Sequence, residues 1–443
     1  MEIALCADSI VTMNENNDVI KDGVVVVKDN FISYVGNDTR RFSKRVDVTI
    51  EGTNKIIIPG LINTHAHLGF TLLRGLGEGL PLMRWLRERI GPMESCLTND
   101  DIVLGTEIGV IEMINAGVTC IADFYDVSLV APIFKKNGVR GVLSTVLSDS
   151  WFGKVERDKT KQKYEDINKV EREIKCWHGH SNGLIRCMLS PHAPYTCSEE
   201  LLNSVRKISE KYDISIHTHI AESTEECAWF LKKHGVSPVT FFNDRKLLEN
   251  GGILAHCVIL NKEDISILRN KNVGIAHCPT SNVQLCCGIS PIKDVMERGI
   301  PIGLGTDSAA SNNTTNLFSE MRLVKLLQNI KYGEVTTITP LNVLKMSTIN
   351  AAKSLRIDHE VGSIEVGKKA DIVVLNFDKS GYVGGWDIFS NIVYSTTAMN
   401  VDTVIVDGEI LKINKSLARN IGPIIEKGKR HIKVMVEKYK RMV

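Results

Sequence analysis

Two histidines separated by one residue are the first sign of chemistry in this sequence. His65 and His67 stand in "GLINTHAHLGF", directly after the apolar run Ile56-Ile57-Ile58-Pro59. In a β-strand, alternate residues point to the same face, so the two imidazoles can aim at one point. A strand that carries two histidines by chance is the simpler interpretation, and partners elsewhere in the chain must decide between the two.

Further polar residues stand at the ends of later apolar runs. They are His192 after "GLIRCMLSP", His217, His219 and Glu222 in "ISIHTHIAE", His256 after "GGILA", and Asp307 after "IPIGLGT". Buried polar groups are costly unless they are satisfied, so packing alone does not explain this recurrence. Three imidazoles and a carboxylate are typical ligands of zinc or a similar divalent metal, with one position open to water. From spacing alone, either His217 or His219 serves as the third imidazole.

A thiolate site is the alternative, because cysteines directly follow histidines in His256-Cys257 and His277-Cys278. Adjacent residues of a strand point to opposite faces, so each of these pairs is a poor chelate. The sequence therefore favours the histidine and carboxylate site.

The segments that carry these residues alternate between short apolar runs and longer helical patterns. "GVTCIADFYD", "GVRGVLSTVLSD" and "VGIAHCPTSN" are such runs, and "SEELLNSVRKISEKY" and "KEDISILRNK" are helix-like. This alternation predicts a parallel sheet. The runs extend from Ile57 to Asp307, which matches the length of about 250 residues typical of an eightfold barrel. In such barrels the chemistry lies at the carboxyl ends of the strands.

Both ends of the chain have the pattern of β-structure. "DGVVVVKDNFISYVG" alternates and breaks at turn signals, and "VGSIEVGKKADIVVLNFD" and "VDTVIVDGEILKIN" return to this pattern near the other end. We therefore predict an α/β protein, with a TIM-like (β/α)8 barrel at residues 60–359. Residues 1–59 and 360–443 are predicted to form a small β-sandwich domain. The final basic segment, "EKGKRHIKVMVEKYKRMV", predicts an amphipathic helix with a solvated face.

Composition limits the partners and the compartment. The 54 basic and 52 acidic residues leave a formal net charge of +2, which gives no reason to expect nucleic acid as a partner. No stretch reaches the ~20 apolar residues of a membrane span, so no membrane partner is expected. The 11 cysteines include no CxxC pair and are expected to be free thiols in the cytoplasm. The formation of a homo-oligomer is compatible with the sequence.

Six motifs, in order along the chain, carry a family resemblance: "PGLINTHAH", "SPHAPYTCSEE", "HTHIAESTEE", "LAHCVIL", "HCPTSN" and "GLGTDSAASNN". Together they resemble the amidohydrolase superfamily, in particular its 5′-methylthioadenosine/S-adenosylhomocysteine deaminases and related chlorohydrolase-like enzymes. The resemblance implies a hydrolase that converts an adenosine-type nucleoside to the inosine analogue and ammonia. Alternatives are a deaminase of guanine or another heterocycle, a chlorohydrolase-type enzyme, and a non-catalytic scaffold relative with the barrel fold.

The resemblance also implies roles for individual residues. The implied metal ligands are His65, His67, His219 and Asp307. The choice of His219 over His217 rests on the family pattern, in which the catalytic acid stands three residues after the ligand, as Glu222 stands three residues after His219. Catalytic roles fall to Glu222 as the proton shuttle, His256 as the residue that orients the attacking water, and Asp307. Substrate contacts fall to Glu94, His192, Glu222 and Arg157.

The same resemblance implies a single divalent metal ion. Members with two metals bridge their ions with a lysine at the end of a middle strand, whereas "GLIRCMLSPHAP" offers His192 and no lysine. The ion is expected to be Zn²⁺, with Fe²⁺, Mn²⁺ and Ni²⁺ as alternatives, and the expected small-molecule partner is the nucleoside.

The 5′ side of the substrate is the last feature that the resemblance addresses. Family members that use S-adenosylhomocysteine often carry an arginine in the third-strand motif, where this chain has Thr145. Arg140 is expected at the start of that strand, far from the mouth, and the alignment of Arg157 in the next loop is loose. The sequence therefore predicts that methylthioadenosine or 5′-deoxyadenosine is a better substrate than S-adenosylhomocysteine.

Overall fold

The computed structural model describes residues 1–38, 46–76, 78–155, 167–378 and 385–442. Strands occur in three groups along the chain. The first group is β1 (Glu2–Val11), β2 (Val19–Lys28), β3 (Phe31–Gly36), β4 (Val48–Ile50) and β5 (Lys55–Pro59). The second is β6 (Leu61–Ala66), β7 (Val118–Tyr125), β8 (Arg140–Leu147), β9 (Ser150–Trp151), β10 (Lys154–Val155), β11 (Ile185–Pro191), β12 (Ile216–Ile220), β13 (Gly252–His256), β14 (Val273–His277) and β15 (Ile302–Leu304). The third is β16 (Ile372–Asn376), β17 (Val401–Val406), β18 (Glu409–Ile413) and β19 (Ser416–Leu417).

Helices separate most of the strands. They are α1 (Leu82–Trp85), α2 (Gly91–Glu94), α3 (Asn99–Asn115), α4 (Val127–Asn137), α5 (Ile167–Trp177), α6 (His180–Gly183), α7 (Glu199–Tyr212), α8 (Thr224–His234), α9 (Pro238–Asp244), α10 (Lys262–Asn270), α11 (Pro279–Gln284), α12 (Ile292–Glu297), α13 (Ala309–Asn312), α14 (Leu317–Tyr332), α15 (Pro340–Met346), α16 (Ile349–Ser354), α17 (Ile388–Ser390) and α18 (Gly422–Met442). A π-helical stretch, Leu86–Ile90, joins α1 to α2.

Eight parallel strands form the barrel, in the order β6-β7-β8-β11-β12-β13-β14-β15. The two end strands approach each other beyond their last residues, where Ala66 and Asp307 form a parallel bridge and the Asp307 N–H donates to the His65 carbonyl at 2.9 Å. This contact brings the first and last strands together at their carboxyl ends. The predicted barrel is therefore confirmed.

Local chemistry explains where the outer helices begin. Ser198, Ser223 and Ser237 each accept a backbone N–H of the following first turn, at the starts of α7, α8 and α9. Such side-chain caps satisfy N–H groups that have no partner within the helix. The barrel strands, in contrast, are almost entirely buried, as expected for parallel strands covered on both faces.

The apolar run before His65 is not the strand that carries this histidine, which corrects the sequence interpretation. Residues Lys55–Pro59 form β5, which pairs with β16 and β1 of the terminal sheet. The chain then enters the barrel strand β6 through Gly60. A Cβ atom at Gly60 would lie 2.1 Å from the Thr119 hydroxyl oxygen, so this passage between sheet and barrel requires glycine.

The two ends of the chain share one nine-stranded sheet. Its main path is β19-β18-β17-β16-β5-β1-β2-β3, and β4 pairs with β1. Side chains of both groups meet in one core, including Leu5, Val27, Ile372 and Ile405. The prediction that the terminal segments build a separate β-domain is confirmed, whereas the exact boundaries after residues 59 and 359 stay a prediction.

The predicted C-terminal amphipathic helix is α18, which packs against α3 of the barrel. Met435 is buried there, and His431 Nδ1 lies 2.7 Å from the Asp101 carboxylate. Across the described ranges, no helix combines the length and apolar character that a membrane crossing requires.

Candidate active site

Four side chains converge at the carboxyl end of the barrel. His65 near the end of β6, His67 just after it, His219 in β12 and Asp307 after β15 each offer a ligand atom, all within 4.8 Å of one another. Asp307 Oδ1 lies 3.3 Å from Nε2 of His65 and 3.3 Å from Nε2 of His67. The Nε2 atoms of His67 and His219 are 3.2 Å apart.

The protonation states of this group suit a metal ion. Burial lowers the pKa of His67 to about 3 and holds the pKa of His219 well below its usual value. Burial alone would raise the pKa of Asp307, but its close contact with His65 and the other facing imidazoles hold it well below its usual value. Neutral imidazoles that direct nitrogen atoms at each other and at an ionised carboxylate leave room for a shared cation. The residues present therefore fit a divalent metal.

The two histidines of β12 occupy different places. His219 belongs to the convergent group, and its Nδ1 lies 2.8 Å from the His192 carbonyl oxygen. His217 instead places Nε2 2.8 Å from Nδ1 of His65 and is completely buried. The geometry thus separates the two residues, which spacing alone left ambiguous.

Asp307 is held by two hydroxyl groups. Ser281 in α11 and Ser311 in α13 both donate to Oδ2 of Asp307, at 2.5 and 2.9 Å. These bonds leave Oδ1 facing His65 and His67. Neither serine was singled out from the sequence, although both lie within the quoted motifs "HCPTSN" and "GLGTDSAASNN".

Glu222 and His256 lie beside the convergent group. Burial raises the pKa of Glu222 to about 7, and His256 Nε2 is 3.6 Å from Glu222 Oε1. Asn282 of α11 places Oδ1 2.8 Å from His256 Nδ1. Because an amide oxygen only accepts, this contact places a proton on Nδ1.

Left-handed backbone recurs at the site. Ala221, His256 and Asp307 have φ angles of 51°, 72° and 58°, which cost non-glycine residues of order 1–3 kcal/mol each. Glu226 stabilises one of these turns, because its carboxylate accepts the N–H groups of Ala221 and Glu222 at 3.2 and 2.9 Å. Such strain, retained where the surroundings enforce it, is typical of functional sites.

A cavity of about 640 Å³ opens onto this group. Apolar and aromatic side chains form much of its wall, namely Phe70, Leu82, Trp85, Leu86, Ile90, Tyr125, Val146, Trp151, Tyr195 and Leu285. Glu94 of α2 also lines the cavity, and burial raises its pKa to about 7. His192 lines it as well, with Nδ1 3.2 Å from the Thr196 hydroxyl. Glu94 is therefore part of the cavity wall and not a residue of an outer helix face.

Two further expectations concern the 5′ side. Arg157 lies outside the described residues. Thr145 does not line the cavity: it is 1% exposed, its hydroxyl donates to Glu173 at 2.6 Å, and it accepts the Val127 N–H at 2.9 Å. This corrects the expectation that Thr145 occupies a substrate-facing position, and with it the premise for a preference for 5′-neutral nucleosides.

A parallel barrel whose strand ends gather three imidazoles and a carboxylate defines a metal-dependent barrel hydrolase. The model of the amidohydrolase family matches residues 56–411. The chain belongs to the amidohydrolase family.

Individual relatives are similar to this chain over nearly its whole length. The chain is 36% identical over 410 residues to a 5-methylthioadenosine/S-adenosylhomocysteine deaminase of Thermoanaerobacter pseudethanolicus, covering 92% of this chain and 93% of that protein. It is 38% identical over 393 residues to a 5′-deoxyadenosine deaminase of Methanothermobacter thermautotrophicus, covering 88% and 90%. Among solved structures, an adenosine deaminase of Xanthomonas campestris with bound zinc superposes with a TM-score of 0.91 at 25% identity, covering 98% of each chain.

Proposed function

We propose that this protein is a metal-dependent deaminase that converts an adenosine-type nucleoside and water to the inosine analogue and ammonia. The proposed substrates are 5′-methylthioadenosine, S-adenosylhomocysteine, 5′-deoxyadenosine and adenosine, in keeping with the activities for which the relatives are named. One observation carries the proposal: the same cavity is lined by three members of the convergent group, by the acid Glu222 and by the acid Glu94. The three members are His67, His219 and Asp307.

His65, His67, His219 and Asp307 would hold one divalent cation, which we propose to be Zn²⁺. Nitrogen ligands with one carboxylate suit this ion, and Fe²⁺, Mn²⁺ and Ni²⁺ are the alternatives that metal analysis distinguishes. A divalent cation bound there would supply Lewis-acid chemistry, which lowers the pKa of water toward about 7.

Glu222 is the proposed proton shuttle. A carboxyl group whose pKa is raised to about 7 both holds and releases a proton near neutral pH. Water adds to C6 of the adenine ring, and Glu222 gives a proton to N1, which becomes basic as the ring loses aromaticity. Asp307 takes a proton from the water and passes it to the amine. The C6–O bond has then formed, the C6–N bond breaks and ammonia leaves, and the remaining proton of the C6 hydroxyl passes to Glu222, which restores its protonated form.

His256 is proposed to orient the attacking water. The contact of Nδ1 with Asn282 leaves the Nε2 lone pair free to accept a hydrogen bond from it. Glu222 lies on the same side of the ring, 3.6 Å from Nε2, so acid and orienting base face the same reacting atoms.

Glu94 and His192 are proposed to bind the nucleoside, together with Glu222 and Arg157. The Glu94 carboxylate lines the cavity and can accept hydrogen bonds from the 2′- and 3′-hydroxyls of a ribose. A free base has no ribose, so this contact would favour nucleosides over guanine.

We also propose the setting in which the enzyme works. No disulfide bond joins cysteines within the described residues, which supports a reducing compartment, and we infer the cytoplasm. The proposed catalytic unit is the barrel at residues 60–359, with residues 1–59 and 360–443 as the second domain. Its proposed partner is the nucleoside alone, with neither nucleic acid nor membrane, and size-exclusion chromatography tests for a homo-oligomer.

An ammonia-release assay tests the proposal. Purified protein of known metal content is assayed on adenosine, 5′-deoxyadenosine, methylthioadenosine, S-adenosylhomocysteine and guanine. We expect release from one or more nucleosides and little from guanine. A preference for guanine would move the assignment to base deaminases, and a metal-free, inert protein would support a scaffold relative.

Two variants make the assay specific for the proposed residues. Glu222→Gln should keep its metal and its substrate affinity but lose turnover by about a hundredfold or more, and near-normal turnover would remove Glu222 from the mechanism.

Glu94→Ala should slow the deamination of nucleosides more than that of free bases. An equal effect on both classes would contradict the ribose contact.

A further inference from the structure

Arg87 is a cavity residue that the proposed reaction does not use. It belongs to the π-helical stretch between α1 and α2, it is exposed, and it lines the same cavity as Glu94. Its Nε donates to the Met83 carbonyl at 3.1 Å, and no carboxylate of the described residues pairs with it. Arg84, one turn earlier, has an ion pair with Glu88 at 2.8 Å and does not line the cavity.

The positions of Arg87 and Glu94 fix a distance. Seven residues separate them in one helical segment, which amounts to a rise of at most roughly 10 Å along its axis, and both residues line the cavity. Leu86 and Ile90 line the cavity from the same segment. Along this wall a bound molecule meets a carboxylate, then apolar side chains, then a cation.

This order matches one kind of 5′ substituent. With the ribose hydroxyls at Glu94, as in the proposed function on which this inference rests, the group on C5′ extends along the apolar part of the wall. Methylene and thioether groups suit that part. We propose that Arg87 binds a carboxylate at the far end of the 5′ substituent, as in the amino-acid portion of S-adenosylhomocysteine. Arg87 is thus a specificity-determining residue, at a position where sequence comparison of the third strand did not place a charge.

A phosphate attached directly to C5′ is a different case. It would sit within a few bonds of the ribose, whereas Arg87 is roughly 10 Å from Glu94 along the helix. Adenosine 5′-monophosphate therefore separates a contact that depends on reach from a general attraction for anions.

The contact between Arg87 and the substrate carboxylate should have a moderate effect on kcat/KM. Arginine stays charged at all working pH values and pairs with carboxylates through two parallel N–H donors. Exposed ion pairs contribute little, and hydrogen bonds to charged groups in enclosed sites contribute more. At the exposed edge of a cavity we expect a change of about fivefold to tenfold in kcat/KM.

The test compares three substrates in three proteins. kcat/KM for S-adenosylhomocysteine, for methylthioadenosine and for adenosine 5′-monophosphate is measured in the native enzyme, in Arg87→Gln and in the matched control Arg84→Gln. We expect Arg87→Gln to lower the ratio of the first value to the second about fivefold or more, with methylthioadenosine nearly unchanged. Arg84→Gln should leave the ratio unchanged. Raising the salt concentration should lower the ratio in the native enzyme and not in Arg87→Gln.

The outcomes distinguish this inference from the proposed function. If the native enzyme deaminates both nucleosides and Arg87→Gln leaves the ratio unchanged, the assignment of Arg87 is wrong. A loss of activity on adenosine 5′-monophosphate that equals the loss on S-adenosylhomocysteine would also overturn it, because reach would then not matter. If the native enzyme deaminates no nucleoside, the proposed function fails, and this inference fails with it.

Discussion

His217 shows how one buried residue can act on the site without belonging to the convergent group. For His65 to present a lone pair on Nε2, its proton must lie on Nδ1, where His217 Nε2 is 2.8 Å away and can accept it. Partners of this kind fix the orientation and tautomer of a ligand imidazole. We therefore infer that His217 is a positioning residue for His65.

We expect His217→Leu to weaken metal binding by about 10- to 100-fold, which is the usual effect of removing such a partner. His217→Gln should recover much of the affinity, because an amide oxygen can accept from His65. Metal affinity is measured by competition with a chelator, without reference to turnover. His277→Leu is the matched control, because the ring nitrogens of this buried histidine have no partner among the described atoms. Equal affinities for His217→Leu and His277→Leu would contradict the positioning role.

Glu94 carries a second prediction, which concerns stability and pH. The pKa of Glu94 is raised to about 7 by burial, from an ordinary value of 4.5. Between pH 4.5 and 7 the native state therefore binds more protons than the unfolded state, and the free energy of unfolding falls as pH rises. The penalty is absent below about pH 4.5 and complete above about pH 7.

Glu94→Gln removes this penalty. Because Glu94 is only half-buried, we expect a gain of about 1–2 kcal/mol in unfolding free energy at pH 8. The gain should vanish near pH 4.5. Thermal melts of native and variant proteins across this range, at constant metal content, give the difference directly. Melting temperatures that stay parallel at every pH would show that Glu94 titrates normally in the folded protein.

Among the elements, helix α14 supports the two short helices that carry Ser281, Asn282 and Ser311. Glu320 of α14 is completely buried. It accepts the N–H and the hydroxyl of Thr280 at 3.1 and 2.6 Å and the Asn312 amide at 2.9 Å. One carboxyl group thus fixes the start of α11 and the end of α13, the two helices that orient Asp307 and His256.

We expect Glu320→Ala to lower both stability and activity. It leaves buried donors without an acceptor, at about 1–3 kcal/mol each, and it frees α11 to shift, which we expect to lower kcat about tenfold or more. Glu173→Ala is the matched control: Glu173 accepts comparable bonds from Ser128 and Thr145 on the outer side of β8. It should lower the melting temperature and keep kcat. A Glu320→Ala protein with native kcat would show that α14 supports the fold alone.

The barrel strands and the segments between them show which features of the fold and the site can be predicted from the sequence. Apolar runs that end in polar residues predicted the barrel strands and brought His65, His219 and Asp307 to one end, because parallel strands align their carboxyl ends. β8 is buried on both faces, so no alternation reveals that Thr145 points outward. The stretch "KIIIPGLINTHA" divides into β5 and β6 because β5 pairs with β16. Strand β16 is distant in the sequence, so the local pattern does not show this division. Arg87 sits in irregular helix between strands, where no sequence period predicts its direction.

At the scale of the whole molecule, Arg140 joins the barrel to the terminal sheet. It begins β8 and is 1% exposed, and its guanidinium binds both carboxylate oxygens of Asp371 at 2.9 Å each. Asp371 also accepts the Asp407 N–H at 2.9 Å, and its carbonyl accepts the N–H of Gly60 at 2.8 Å. The amino ends of β6 and β8 and the turn between β17 and β18 therefore meet at one buried ion pair.

Removing one partner of this pair should separate stability from catalysis. Arg140→Met leaves the Asp371 carboxylate buried without its cation, which costs about 3–5 kcal/mol, and for a chain of this size we expect the melting temperature to fall by roughly 3–5 °C. Because Arg140 begins its strand and the chemistry lies at the carboxyl ends, kcat at low temperature should stay near native. Adding Asp371→Asn removes the stranded charge and keeps an acceptor for Asp407, so the double variant should recover most of the loss. Calorimetric scans of both variants check this, and a double variant no more stable than Arg140→Met would show that the arginine contributes by packing and not by its charge.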